Sequence, residues 1–83
     1  MKNRYFSVNE VGGGHIGTIF ANSPNSLVTK LKMACESYFD TDIDISETTK
    51  ELFENFNMVS TTIFTLNING VDYRINVCVT WIF

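Results

Sequence analysis

Apolar and polar positions alternate most cleanly in the C-terminal third of the chain, on either side of Asn69-Gly70. An Asn-Gly pair between two alternating runs is the strongest short-range mark of a two-residue hairpin loop. Such a loop sets Ile68 opposite Val71, Leu66 opposite Tyr73, Phe64 opposite Ile75 and Thr62 opposite Val77. Carried backward, the same register sets Met58 against Trp81. These residues share one face, and Ile63, Thr65, Asn67, Asp72, Arg74, Asn76, Cys78 and Thr80 share the other. A slip of one residue would expose the whole apolar set, so the pattern specifies its own register.

A weaker hairpin is predicted at the N-terminus. Tyr5 to Val11 and His15 to Ala21 flank Gly12-Gly13-Gly14, and glycine supplies positive φ wherever a turn needs it. A three-residue loop sets Phe6 opposite Phe20 and Val8 opposite Thr18, with a flexible tip between the strands.

The pattern between the hairpins is helical. Ser23 is a good N-cap, Pro24 suits the first helical position, and Leu27, Leu31, Ala34, Cys35 and Tyr38 follow at helical spacing. This helix should end near Phe39, with Lys32 and Glu36 as an exposed i, i+4 pair. Asp42 to Ile45 reads as a loop or short edge strand. Ser46 then caps a second helix through Leu52, Phe53 and Phe56. The expected fold is α+β: a single domain over residues 1–83, with a small antiparallel sheet of two hairpins packed on one or two helices. Its order is β-β-α-(β)-α-β-β.

Composition agrees with a folded domain. The 83 residues leave no room for a second core, and a chain this short buries roughly 60–65% of its unfolded surface. The apolar content of 45% and aromatic content of 13% suffice for a core, in which Phe6, Phe20, Phe64, Tyr73, Trp81 and Phe83 are the expected large members. Two cysteines, Cys35 and Cys78, are too few for a disulfide scaffold, and no secretion signal or membrane-length apolar run is recognisable. The chain thus reads as a complete small cytoplasmic protein with reduced thiols and no membrane association.

Charge changes the picture more. Seven of the nine acidic residues, Glu36, Asp40, Asp42, Asp44, Glu47, Glu51 and Glu54, fall within nineteen positions, where Lys50 is the only base. That segment carries −6 (seven acids, one base) and the remainder +3 (two acids, five bases), which gives the net −3. Segregation this sharp builds a field that matters for partner choice and association rate. Net acidity argues against direct nucleic-acid binding, which needs a basic footprint.

Candidate chemistry is sparse. The run Gly12-Gly13-Gly14-His15-Ile16-Gly17 lacks the following helix and lysine of a phosphate loop, so it reads as a hairpin tip. Asp40, Asp42, Asp44 and Glu51 occupy the first, third, fifth and twelfth positions of a calcium loop. The sixth, which requires glycine, is Ile45. His15 has no further ligands at zinc spacing. Spacing alone leaves a dyad of His15 with Cys78 open, although Cys35 is expected in the core. No catalytic residue, cofactor or metal is therefore expected, and the chain is not read as an enzyme.

Two functions remain. In the first, Asp40, Asp42, Asp44, Glu47, Glu51 and Glu54 dock on a basic groove of a protein partner, one that normally holds nucleic acid. Spaced carboxylates can imitate a phosphate backbone. Glu47, Glu51 and Glu54, at helical spacing, would repel one another. In size and charge layout the chain resembles the compact acidic phage proteins that counter host defence, anti-CRISPR proteins among them. That resemblance implies an inhibitor acting as a nucleic-acid mimic. In the second, the chain is a structural or assembly subunit. It forms a homodimer through the outward face of the Met58–Phe83 hairpin or through its long final strand.

Overall fold

A computed structural model describes residues 4–45 and 61–82, the last two by backbone only. Four strands, β1 (Arg4–Glu10), β2 (His15–Ala21), β3 (Thr61–Ile68) and β4 (Val71–Ile82), form one antiparallel sheet in the order β2-β1-β4-β3. The helix α1 (Pro24–Phe39) joins the hairpins. The described residues therefore make an α+β arrangement of a four-stranded sheet with one helix. The expected second helix from Ser46 lies outside them, and Asp42–Ile45 has no regular secondary structure.

The C-terminal hairpin has the register its sequence pattern dictates, with Ile68, Leu66, Phe64 and Thr62 opposite Val71, Tyr73, Ile75 and Val77. Asn69 and Gly70 both take positive φ, at 54° and 83°, as the tight turn matching strand twist requires. Thr62, Phe64, Leu66, Ile75 and Val77 are buried, whereas Thr61, Ile63, Thr65 and Asn67 are exposed. The expected pairing of Met58 with Trp81 lies outside the described residues.

The N-terminal hairpin differs from expectation by one position. Phe6 faces Ile19 and Val8 faces Gly17, rather than Phe20 and Thr18. The reason is a three-residue loop shifted back by one residue, closing on Glu10 and Gly14, whose backbones bond at 3.0 Å, and a bulge between Val8 and Asn9 that leaves Ile16 over. The consequence is large, because strand faces alternate. Ile19 and Ala21 enter the core, and Phe20 lies outside at 37% exposure against Tyr5, ring centroids 5.1 Å apart. Of the expected aromatic core, Phe6 and Phe64 are buried and Tyr73 is half-buried. Phe83 and the side chain of Trp81 are not among the described parts.

The helix begins and ends as its sequence predicts. The Ser23 hydroxyl accepts from the Ser26 amide at 3.2 Å, and Pro24 opens the first turn. Leu27, Leu31 and Cys35, four residues apart, are buried against Phe6, Val8, Ile19, Ala21, Phe64, Leu66, Ile75 and Val77 in one core. Ile43 and Ile45 join it from the segment after the helix. Tyr38, expected on the apolar side, is 40% exposed. It reaches instead over the glycine tip, donating to Glu10 Oε1 at 3.3 Å.

Candidate acidic interface

The C-terminal end of α1 organises the acidic residues that the structure describes. Asp40 ends the helix in the left-handed conformation (φ 52°, ψ 47°), and its N–H bonds the Glu36 carbonyl. The Thr41 amide reaches the same carbonyl at 3.3 Å. Aspartate tolerates this conformation better than most non-glycine residues, which explains a helix stop without glycine. The chain then turns back across the helix end, and the Glu36 side chain fixes that return. Its Oε2 accepts from the Ile43 amide at 3.1 Å. Glu36 is thus committed to the backbone, and the expected pair with Lys32 is not made.

From there residues alternate in and out. Ile43 and Ile45 are 6% and 4% exposed, whereas Asp42 and Asp44 face solvent. Burial of two isoleucines anchors the segment, with full burial of such a side chain contributing about 1.5–3 kcal/mol. Asp44 between them and Asp42 before them face outward by the same alternation. Glu36, Asp40, Thr41 and Asp42 line an open concavity of about 470 Å³. Its walls are polar, unlike the mostly apolar lining of small-molecule sites. Of the six expected interface residues, the structure brings Asp40, Asp42 and Asp44 onto this short stretch. Glu47, Glu51 and Glu54 lie outside the described residues.

Helix electrostatics work against this arrangement. Carboxylates are favoured at a helix N-terminus and bases at its C-terminus. Here the first turn contains no acid and the last turn no base, while Glu36 and Asp40 occupy the negative end.

The other candidates separate in space. The glycine run turns the hairpin between β1 and β2, with Gly12 at φ 77°, and Gly14 lies under the Tyr38 hydroxyl. His15 Nδ1 donates to Asn9 Oδ1 at 2.7 Å, since that oxygen can only accept, and Asn9 Nδ2 donates to Ser7 Oγ at 3.0 Å. Cys78 pairs across from Ser7, so β1 stands between it and His15 and the two form no dyad. Cys35 is fully buried, and burial, with Glu36 beside it, pushes its thiol up to about 11. Among the described residues no three His, Cys, Asp or Glu converge as a metal site would need. Nor is any helix there long and apolar enough to cross a membrane.

No protein-family model matches this sequence, and no curated protein or solved structure is significantly similar to it.

The role of Glu36 as a backbone clasp was missed in the sequence. The signal was present: a glutamate one turn before the helix stop, followed by an isoleucine pair that must fold back onto the core.

Proposed function

We propose that the protein is a small acidic binding protein, and that its carboxylate array docks on a basic groove of a protein partner of the kind that holds nucleic acid. The array comprises Asp40, Asp42 and Asp44, continued in sequence by Glu47, Glu51 and Glu54. One observation carries this reading: two of the clustered acids sit at a helix end where their charge is electrostatically unfavourable. Glu36 and Asp40 lie at the negative end of α1, and no base accompanies them in the last turn. Each unfavourable charge at a helix end costs about 0.3–1 kcal/mol. A surface needing only solubility could carry the same charge elsewhere without that cost.

The alternation of Ile43 and Ile45 with Asp42 and Asp44 supports the same reading. A segment already anchored in the core by Ile43 and Ile45 loses little loop entropy on docking, which favours affinity. Inhibition by occupying the groove, as in phage counter-defence proteins, is the action this chemistry suits.

The test uses immobilised wild-type protein and the triple variant Asp40→Asn, Asp42→Asn, Asp44→Asn. The reading predicts that wild type captures a basic protein, that duplex nucleic acid displaces it, and that the variant captures much less. Equal capture by both, or capture insensitive to nucleic acid, contradicts the reading.

A further inference from the structure

The two edges of the sheet are built differently. At the β2 edge, Lys30 Nζ donates to the Phe20 carbonyl at 2.6 Å and lies 5.5 Å from the Phe20 ring centroid. A bulge interrupts the same strand near Ile16. Lysine and bulges are the usual devices that keep an edge from recruiting another strand. At the β3 edge they are missing. Thr61–Ile68 contains no charge, no proline and no glycine, and its register with β4 is continuous.

The backbone groups that β3 turns outward follow from its ladder. A two-residue turn closes on a hydrogen-bonded pair, here Ile68 with Val71, and bonded and unbonded pairs then alternate. Leu66, Phe64 and Thr62 therefore direct their backbone groups at β4, whereas Asn67, Thr65, Ile63 and Thr61 direct theirs away. An independent contact agrees. The carbonyl of Arg74, opposite Thr65, accepts from the Val11 amide on the β1 side at 2.8 Å, so it faces away from β3. Among the described residues, no strand pairs with this outer edge.

We propose that a second copy of the chain occupies the edge, with β3 pairing antiparallel to its own counterpart about a two-fold axis at Phe64. Symmetry selects this register. Directly opposed residues point to the same face, so the axis must fall on a residue for inner faces to meet. Centred on Phe64, the pairing sets Thr61 against Asn67 and Ile63 against Thr65 of the second copy, which uses every outward-directed residue. Phe64 then meets its counterpart and Thr62 meets Leu66 on the inner side, so the buried faces of two sheets become continuous. The outward Ile63, 42% exposed, gains a neighbour. Charge favours this edge as the meeting place: each copy carries −3, and an uncharged strand sets no like charges opposite each other. Over Ile75–Cys78 the final strand β4 is paired on both sides, by β1 and β3, so β3 offers the longer open edge among the described residues. This inference does not depend on the acidic-array reading.

Sedimentation equilibrium tests it with two variants. Thr65→Pro deletes an outward N–H while sparing the bonds to β4. The double variant I63K/T65K sets ammonium groups opposite one another in the dimer register, and both positions already face solvent. Wild type should reach twice the 9.4 kDa chain mass at high concentration, and both variants should remain folded monomers. Should Thr65→Pro not fold, I63K/T65K decides alone. Amide exchange at Ile63, Thr65 and Asn67 should be slower in wild type than in I63K/T65K. A wild type that is monomeric at every concentration overturns the proposal and leaves the edge to an extended segment of another protein. A folded I63K/T65K that still dimerises overturns it as well.

Discussion

Phe64 and Thr65 are adjacent in sequence and opposite in environment, the first 5% exposed in the core and the second facing solvent. Phe64→Ala should therefore cost about 3–5 kcal/mol, and Thr65→Ala under ~0.5 kcal/mol. Urea denaturation of the two variants measures the difference, and equal midpoints would refute the face assignment. The thiols make a second contrast. Cys35 is fully buried and its thiol is raised to about 11, whereas Cys78 is partly exposed on the outer face. A thiol reagent should thus label Cys78 in the native protein and reach Cys35 only on unfolding. The sign of the Cys35 shift also fixes a pH dependence. Below about pH 9 both folded and unfolded states keep the proton. Between about 9 and 11 only the unfolded thiol ionises, so stability should fall as pH rises through that window. Cys35→Ala should remove that part of the slope in alkaline denaturation curves.

The two hairpins differ at the level of elements in how much their sequences determine. The register of the C-terminal hairpin was readable from Thr62 to Val77, because Asn-Gly permits essentially one loop and the apolar residues alternate, although Val71 beside the turn is 52% exposed. The helix was readable from Ser23-Pro24 to Phe39 for similar reasons, with a cap, a compatible proline and a period. The N-terminal register was not. Three consecutive glycines leave the loop undetermined, and both Ile19 and Phe20 are apolar, so alternation could not decide which one faces inward. The bulge at Ile16 and a loop shifted back to residues 11–13 decided it. Glycine substitutions at this hairpin should report that geometry. Gly12 sits at φ 77°, and Gly12→Ala should destabilise by about 1–2 kcal/mol. Gly17 has no positive φ and nothing within 4 Å of an added Cβ. Gly17→Ala should be neutral or stabilising by up to about 1 kcal/mol, through reduced freedom of the unfolded chain. Thermal melts of the pair test this, and equal losses would contradict the turn.

At the scale of the molecule, the described residues sort their chemistry by location: a largely polar outer sheet face, a core between sheet and helix, and acids gathered where α1 ends. The existence of the acidic segment was plain from sequence. Its physical support was not, since the Glu36 clasp and the left-handed Asp40 depend on how the chain folds back. If these carboxylates serve binding, stability and association must respond to their removal in opposite directions. Asp40→Asn removes a charge from the negative helix end and keeps a side chain that tolerates the left-handed conformation. It should raise stability by about 0.3–1 kcal/mol. Association with the captured partner should slow as salt rises, because the screening length falls from ~10 Å at 0.1 M to ~3 Å at 1 M.

The most direct test is the association rate measured against ionic strength for wild type and for the Asp40→Asn, Asp42→Asn, Asp44→Asn variant. The account predicts a folded variant of equal or greater stability that associates more slowly at low salt, with a flatter salt dependence. A folded variant that associates at the wild-type rate, with the wild-type salt dependence, would show that these carboxylates only solvate the surface.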